Sequence, residues 1–520
     1  MQLLQTRAEL LRWRQAEPAP LHFVPTMGAL HAGHAALVHR ATQTASTGAG
    51  LPRVLVSVFV NPLQFGPGED FNRYPRNLES DAALAASAGA AALFAPEPAE
   101  LFPGGEAELT RLVPPDSLQR GLCGRQRPGH FNGVATVVAR LLGLVRPQRL
   151  LLGEKDWQQL VILRRLVADL GLPVQVWGCG TVREADGLAL SSRNRYLSPE
   201  QRAQAVALPR ALARAREQAW GRPSANLEAL SAEVAAELGQ AGLVVDYVEA
   251  VDPHSLQPCP GLGRPVLLAA AAHCGPSRLI DHVFLMSRQP IVAIDGPAGA
   301  GKSTVTRAFA ERLGLVYLDT GAMYRAVTWL VRQRGVDPGD ATAVAPLLEN
   351  LDLRLSTAAA GGQQVRINGQ DVTEAIRSPE VTAQVSAVAA HGCVREALTR
   401  QQRVMGERGG LVAEGRDIGT AVFPDAELKV FLTATVAERA RRRAKDLEQR
   451  GFPVPEHAEL EAQIASRDHQ DASRTVAPLT QAADAVELIT DGLGIVAVVE
   501  QLVQLFRERV PEDAWPEPQA

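Results

Sequence analysis

Hydrophobic positions in this chain fall into short continuous runs, separated by longer stretches rich in Ala, Leu and Arg. Leu21 to Val24, Arg53 to Val60 and Arg149 to Leu152 read as strands, because a run that is apolar at successive positions has both faces buried, as in a parallel sheet covered by helices. Each run stops where polar residues begin, and the Ala/Leu/Arg stretches supply the crossover helices that parallel pairing requires. A second series opens at Ile291 to Ile294, continues through Leu411 to Ala413 and Leu428 to Leu432, and belongs to another sheet. Leu279 to His282 reads as a closing strand of the first series, and Ser287 to Pro290 as a short polar link. The pattern predicts an α/β protein with a domain boundary near Met286, an N-terminal domain over 1–286, a second over 290–510, and a Pro-rich flexible tail over 511–520.

Length supports the division, since 520 residues exceed the roughly 250 to 300 that one hydrophobic core usually serves. At 46% hydrophobic, 21% charged and a formal net charge of -4, the composition is that of a globular chain with no electrostatic preference for nucleic acid. Met1 to Arg7 carries charge where a leader would need an apolar run, and no stretch approaches the length of a membrane helix, so a cytoplasmic protein is expected. The five cysteines, Cys123, Cys179, Cys259, Cys274 and Cys393, form no C-x-x-C pair and read as reduced thiols.

Two signatures carry the chemistry. In the first half, His31 and His34 flank Gly33 just after the strand-ending turn Pro25 to Leu30. Two imidazoles so placed face one phosphate chain. When the α-phosphate of ATP is attacked, charge grows on the bridging oxygen and the departing pyrophosphate, where imidazole N–H donors stabilise it. Gly33 keeps the backbone clear of the nucleotide. Lys155 adds a compact ammonium at a strand end, and Gln64 and Gln159 offer a donor and an acceptor each, which suits a hydroxy acid.

With Val60 to Phe65, Arg127 to Phe131, Gly153 to Asp156, Gln159 and Ser191 to Asn194, this half closely resembles pantothenate synthetase, from Pro25 to about Asp281. The resemblance implies a Rossmann-like nucleotidyltransferase fold with a smaller C-terminal subdomain. It implies that pantoate and ATP give pantoyl adenylate and pyrophosphate, after which the β-alanine amine releases pantothenate and AMP. His34 matches the proton donor of that family, with His31 and Lys155 as its catalytic companions. ATP would be held by Met27, Gly28, Ala29, Leu30, His31, Ala32, Gly33 and His34, by Gly153, Glu154, Lys155 and Asp156, by Val182 near the adenine, and by Leu190, Ser191, Ser192 and Arg193. Gln64 and Gln159 would bind pantoate, and Gln64 also β-alanine. A homodimer through this half is implied as well.

In the second half, Gly296, Pro297, Ala298, Gly299, Ala300, Gly301, Lys302 and Ser303, followed by Thr304, form a P-loop between an apolar strand and a helix beginning near Ser303. Its backbone N–H groups point at phosphate, Lys302 reaches the β and γ oxygens, and the Ser303 hydroxyl can ligate Mg²⁺ delivered with ATP. The acceptor must be read elsewhere, because P-loop folds serve many substrates. Asp319 to Arg325, Asn368 to Thr373, Ser386 to Ala390, Val394-Arg395 and Glu414 to Asp417 together resemble bacterial cytidylate kinase over residues 290–510. That resemblance implies a nucleoside monophosphate kinase fold with lid and nucleotide-binding subdomains, and CMP or dCMP as acceptor.

Ser386, Arg395 and Asp417 supply the acceptor and donor groups that a cytosine edge demands. By resemblance, Thr320, Tyr324, Arg325 and Arg416 hold the ribose and monophosphate, with Asp471 and Arg474 joining when the lid closes. Arg439, Arg442 and Arg443 share a helical face and, with Arg467, read as that lid; a solvated basic face is the competing reading. Arg325 and Arg416 are equally able to pair with structural carboxylates. At the level of the whole chain, two alternatives to a fused synthetase and kinase stay open: a different nucleotidyltransferase in the first half, or a catalytically silent assembly module there.

Overall fold

The computed structural model describes all residues except 18, 44–50, 70, 358–362, 450, 452, 475 and 519–520. The chain divides into two compact units, the first formed by Met1–Ser287 together with Val510–Pro516, the second by Arg288–Arg509 with the residues from Glu517 onward.

Unit 1 is built on six parallel strands: β1 (Gln2–Leu4), β2 (Leu21–Thr26), β3 (Arg53–Val58), β4 (Ala92–Phe94), β5 (Arg149–Gly153) and β6 (Gln175–Cys179), in the spatial order β1-β4-β3-β2-β5-β6. Successive side chains alternate faces. Phe23, Leu55 and Leu150 pack with Val134, Val138 and Leu141 of the helix His130–Val145, whereas Val24, Val56 and Leu151 pack with Val38 and Ala41 of the helix Ala32–Gln43. Apolar runs without alternation thus come from a sheet covered on both faces. Strand order reverses between β2 and β5, and at such a switch point the carboxyl ends open a crevice for ligand.

A smaller subdomain follows, with β7 (Val244–Val251), β8 (Val266–Cys274) and β9 (Ser277–Leu285) in an antiparallel sheet backed by the helices Ala207–Ala219 and Leu227–Gln240. Leu279 to His282 lies within β9 and so joins this second sheet instead of closing the first.

Unit 2 centres on β10 (Ile291–Asp295), β11 (Val316–Asp319), β15 (Leu411–Gly415), β16 (Leu428–Thr433) and β17 (Val486–Ile489), all parallel in the order β11-β15-β10-β16-β17. Between them in sequence, β12 (Leu353–Thr357), β13 (Gln363–Ile367) and β14 (Gln370–Asp371) make a separate antiparallel sheet. The helix Lys302–Leu313 leaves the central strand β10 through the glycine-rich loop.

The chain end differs from its reading as a flexible tail. Val510 is fully buried, Ala514 packs against the core of unit 1, and Ala514 and Trp515 donate to the Pro511 carbonyl at 3.1 and 3.0 Å. Proline suppresses regular structure without preventing docking, because the remaining N–H groups and carboxylates still find partners. Of the residues read as tail, 519–520 lie outside the described ones.

Candidate functional site

The first candidate site opens where β2 and β5 end. Leaving β2, the backbone turns through positive φ at Gly28 (85°) and Ala29 (50°), and a Cβ at Gly28 would lie 2.9 Å from Asp81 Oδ2 and from Val58 Cγ1. The buried Asp81 carboxylate, on the helix Leu78–Ser87, accepts the Ala29 and Leu30 backbone N–H groups at 3.0 and 2.7 Å. Burial pushes the Asp81 pKa up despite those bonds. The next residues present both histidines, with ring centroids 4.1 Å apart.

Their proton positions follow from the backbone. The Gly33 N–H donates to His31 Nδ1 at 3.2 Å and the His31 N–H donates to His34 Nδ1 at 3.3 Å, so each neutral ring carries its proton on Nε2. A Cβ at Gly33 would come within 3.0 Å of the His31 ring, so glycine there lets the ring fold back. Burial pushes the His34 pKa down to about 3 and His31 to about 4, with the Lys155 charge lowering both further. At neutral pH both act as N–H donors.

A cavity of about 270 Å³ gathers Met27, His31, Gly33, His34, Gln64, Gly153, Lys155, Asp156, Gln159, Val182, Leu190, Ser191, Ser192 and Arg193. Gly28, Ala29, Leu30 and Ala32 shape the turn without lining it, and Glu154 does not line it either. The Glu154 side chain is fully buried behind Lys155 in sequence and accepts the backbone N–H groups of Glu512 and Asp513. Its side chain is thus turned from this cavity and spent on amides. Gln64 is fixed by Asn61, whose Nδ2 donates to Gln64 Oε1 at 3.0 Å and to the Gly133 carbonyl at 3.2 Å. His130 Nδ1 sits 2.7 Å from the Gln64 carbonyl, and Arg127 makes a two-pronged ion pair with Glu69. Asp81 and Gly133 escaped sequence reading because they act through backbone contacts and carry no motif.

The second candidate site is a cavity of about 880 Å³ in unit 2. It is lined by Ala298 to Thr304, Thr320, Tyr324, Arg325, Ser386, Arg395, Arg416, Asp417, Arg442, Arg443, Arg467, Asp471 and Arg474; Gly296, Pro297 and Arg439 stand behind. Gly296 (φ 149°) leaves no room for a side chain, since a Cβ would fall 2.0 Å from the Leu432 carbonyl oxygen. Lys302 Nζ donates to the Gly296 and Pro297 carbonyls at 2.7 Å each, and burial, with the Arg416 charge next, pushes its pKa well down. The Ser303 hydroxyl donates to Glu414 Oε1 at 2.6 Å, as does the Tyr317 hydroxyl at 2.7 Å.

Around the acceptor end, Arg395 pairs with Asp417 at 2.5 Å, both nearly fully buried, and lies over the Tyr324 ring. Asp471 takes Arg416 at 3.0 Å and also pairs with Arg474. Thr320 Oγ1 donates to the Glu414 carbonyl, and Arg325 pairs with Asp319 at 2.9 Å, so the structural partner weighed for Arg325 is present. Arg439 and Arg442 reach the Ala298 and Ala300 carbonyls at 3.2 and 3.0 Å, which makes them struts of the P-loop. Arg443 pairs with Asp446. Burial lowers the Arg467 pKa, and the Arg416, Arg474 and Arg443 charges lower it further. Such a group of guanidinium ions in one cavity is built for an anion.

Comparison with known proteins agrees with both halves. Residues 2–284 match the Pantoate-beta-alanine ligase family and residues 292–508 the Cytidylate kinase family. The crystal structure of pantothenate synthetase from Thermus thermophilus superposes with a TM-score of 0.51 at 48% identity, covering 55% of this chain and 100% of that one. Two proteins named bifunctional pantoate ligase/cytidylate kinase are 65% and 61% identical: that of Parasynechococcus marenigrum (strain WH8102), over 99% of this chain and 100% of its own, and that of Synechococcus sp. (strain RCC307), over 98% and 99%. By this similarity along its length, the chain belongs to the bifunctional pantoate ligase/cytidylate kinase family.

Proposed function

We propose that the cavity of unit 1 holds ATP and pantoate together and that His31 and His34 act there as neutral Nε2–H donors. The pantoate carboxylate attacks the α-phosphorus, the bond to the bridging oxygen breaks, and pyrophosphate leaves; Nε2–H groups and the Lys155 ammonium meet the charge that moves onto the departing oxygens. The β-alanine amine then attacks the acyl carbon and AMP leaves, while Gln64 and Gln159 hold the pantoyl hydroxyls. A bound triphosphate would raise the His34 pKa, which suits the family role of proton donor. The paired backbone-to-Nδ1 hydrogen bonds carry this reading, because they commit both Nε2 atoms as donors.

In unit 2 the P-loop holds ATP, Lys302 exchanges a loop carbonyl for a phosphate oxygen, and the CMP or dCMP phosphate attacks the γ-phosphorus as its bond to the β,γ-bridging oxygen breaks and ADP leaves. Arg416, Arg467 and Arg474 offset the charge of the transferring group. Arg395 and Asp417 read the cytosine edge. ATP-using enzymes of these families use Mg²⁺, and the residues present fit it: Ser303 offers a hydroxyl, and the buried Glu414 Oε2 has no hydrogen-bond partner among the described residues. Hard oxygen donors of this sort suit Mg²⁺, which neutralises phosphate charge when bound.

Among the described residues, no helix is long and apolar enough to cross a membrane. The cytoplasm is the proposed compartment because ATP and CMP are the substrates, and a homodimer through unit 1 is the proposed assembly. Sedimentation of the chain tests the dimer. Phosphorus NMR tests the chemistry: AMP with pyrophosphate from pantoate, β-alanine and Mg-ATP, and ADP with CDP from CMP, are expected. ADP and CDP without AMP would remove the ligase reading.

A further inference from the structure

Five residues of the ligase unit are gripped by a segment encoded after the kinase. The Glu512 and Asp513 N–H groups donate to Glu154 Oε1 and Oε2 at 2.9 and 2.8 Å. In return, the Gly180 N–H donates to Glu512 at 2.7 Å, and Asp513 accepts the Thr181 N–H at 2.8 Å and the Thr181 hydroxyl at 2.6 Å. Arg40 pairs with Glu512 at 3.1 Å, and His282 Nε2 lies 3.4 Å from Asp513 Oδ2. Burial opposes the Asp513 charge, but the His282 and Thr181 donors prevail and hold its pKa below the ordinary carboxylate value.

These contacts frame the ATP cavity without entering it. Gly180, Thr181 and Val182 line the cavity and so does Lys155, the residue after Glu154, whereas no described residue of 510–516 is among its walls. A segment that plugged the site would inhibit it; one bonded to the wall from behind sets the position of the wall. With the segment docked but the Glu512 and Asp513 carboxylates removed, the Gly180 and Thr181 N–H groups would be covered without acceptors, an unfavourable burial.

We propose that Glu512 and Asp513 are positioning residues of the ligase reaction, their carboxylates holding the Gly180–Val182 edge in the geometry that binds ATP. The proposal rests on the reading that ATP occupies this cavity with its adenine near Val182. It assigns to a stretch outside the ligase-family match a share of that ligase's nucleotide affinity.

The test uses the full chain. Pantoate- and β-alanine-dependent AMP formation is measured against ATP concentration for the parent, for the double variant Glu512→Ala/Asp513→Ala, for Asp513→Asn, and for Glu517→Ala, whose parent carboxylate pairs with Arg312 inside unit 2. The double variant should raise the ATP KM at least about tenfold, the scale of a lost hydrogen bond to a charged group. Its kcat at saturating ATP, its β-alanine KM and its CMP phosphorylation should stay within about twofold of the parent. Asp513→Asn keeps one acceptor oxygen for Thr181 and should fall between, while Glu517→Ala should match the parent. An unchanged ATP KM in the double variant overturns the proposal. So does a fall of kcat that saturating ATP does not restore, which marks the segment as structural support only. Failure of the underlying reading shows elsewhere, in a parent chain that makes no AMP.

Discussion

Asp81 Oδ1 accepts the backbone N–H of Leu30 at 2.7 Å, which ties the turn after β2 to a helix of the neighbouring crossover. Removing the carboxylate leaves the buried Ala29 N–H and the part-buried Leu30 N–H without their acceptor. Asp81→Ala should therefore lower kcat/KM for AMP formation by about 10- to 100-fold, and Asp81→Asn by less, with CMP phosphorylation unchanged. Steady-state assays of both reactions on one preparation check this; equal losses in the two activities would point to general misfolding instead.

Acid should weaken unit 1 through its buried imidazoles. Burial pushes His22, His31 and His130 down to about 4 and His34 to about 3, from an ordinary value of 6.5. The unfolded chain then binds more protons than the folded one between those limits, so stability is full above pH 6.5 and is lost progressively as the pH falls through about 4. Urea melts followed at pH 7.5, 6 and 5 should show falling midpoints. Midpoints that hold or rise on acidification would mean that these rings are charged in the folded protein.

Gly133→Ala is expected to damage pantoate binding specifically. A Cβ at this position would fall 2.1 Å from the Leu63 carbonyl oxygen, so the turn that carries Gln64 must move. The pantoate KM should rise by about tenfold or more while the ATP KM changes little, because a displacement near 1 Å is enough to spoil alignment. A titration of AMP release against each substrate separates the two.

Asp417 and Arg395 separate stability from recognition. Asp417→Ala strands a buried guanidinium, a loss of about 3–5 kcal/mol, and should both destabilise unit 2 and abolish discrimination for cytosine. The double variant Asp417→Leu/Arg395→Met should regain most of the stability, since apolar residues of similar volume replace a buried pair at little cost, yet leave CMP phosphorylation low. Thermal melts with a CMP-against-UMP rate ratio distinguish the outcomes. Restored CMP preference in the double variant would show that the pair does not read the base.

What is legible in the sequence is whatever chemistry leaves a local spacing. His31 and His34 flank a glycine, and Gly296 to Ser303 carries its own punctuation, so their strands, turns and helices can be placed before any coordinates. The structure carries the strand Leu21–Thr26 two residues past its apolar run, because polar Thr26 still satisfies the ladder after the run has stopped. The missing parts act at long range. Asp81 grips a turn 51 positions away and Glu512 receives Gly180 from 332 away, and nothing in a linear pattern marks a carboxylate whose partner is a distant amide. The direction of the Glu154 side chain is hidden for the same reason: its neighbours in sequence face the cavity, and only tertiary structure reveals that it turns away.

The docking of Val510–Pro516 in unit 1 also fixes an order of manufacture. A ribosome finishes Met1–Ser287 long before it reaches Asp513, and must thread the whole of the second unit in between. During that interval the ligase waits with Glu154, Gly180 and Thr181 lacking their partners, and its last hydrogen bonds form only once the kinase has been translated. Truncated chains that end inside the kinase would consequently lack these hydrogen bonds altogether.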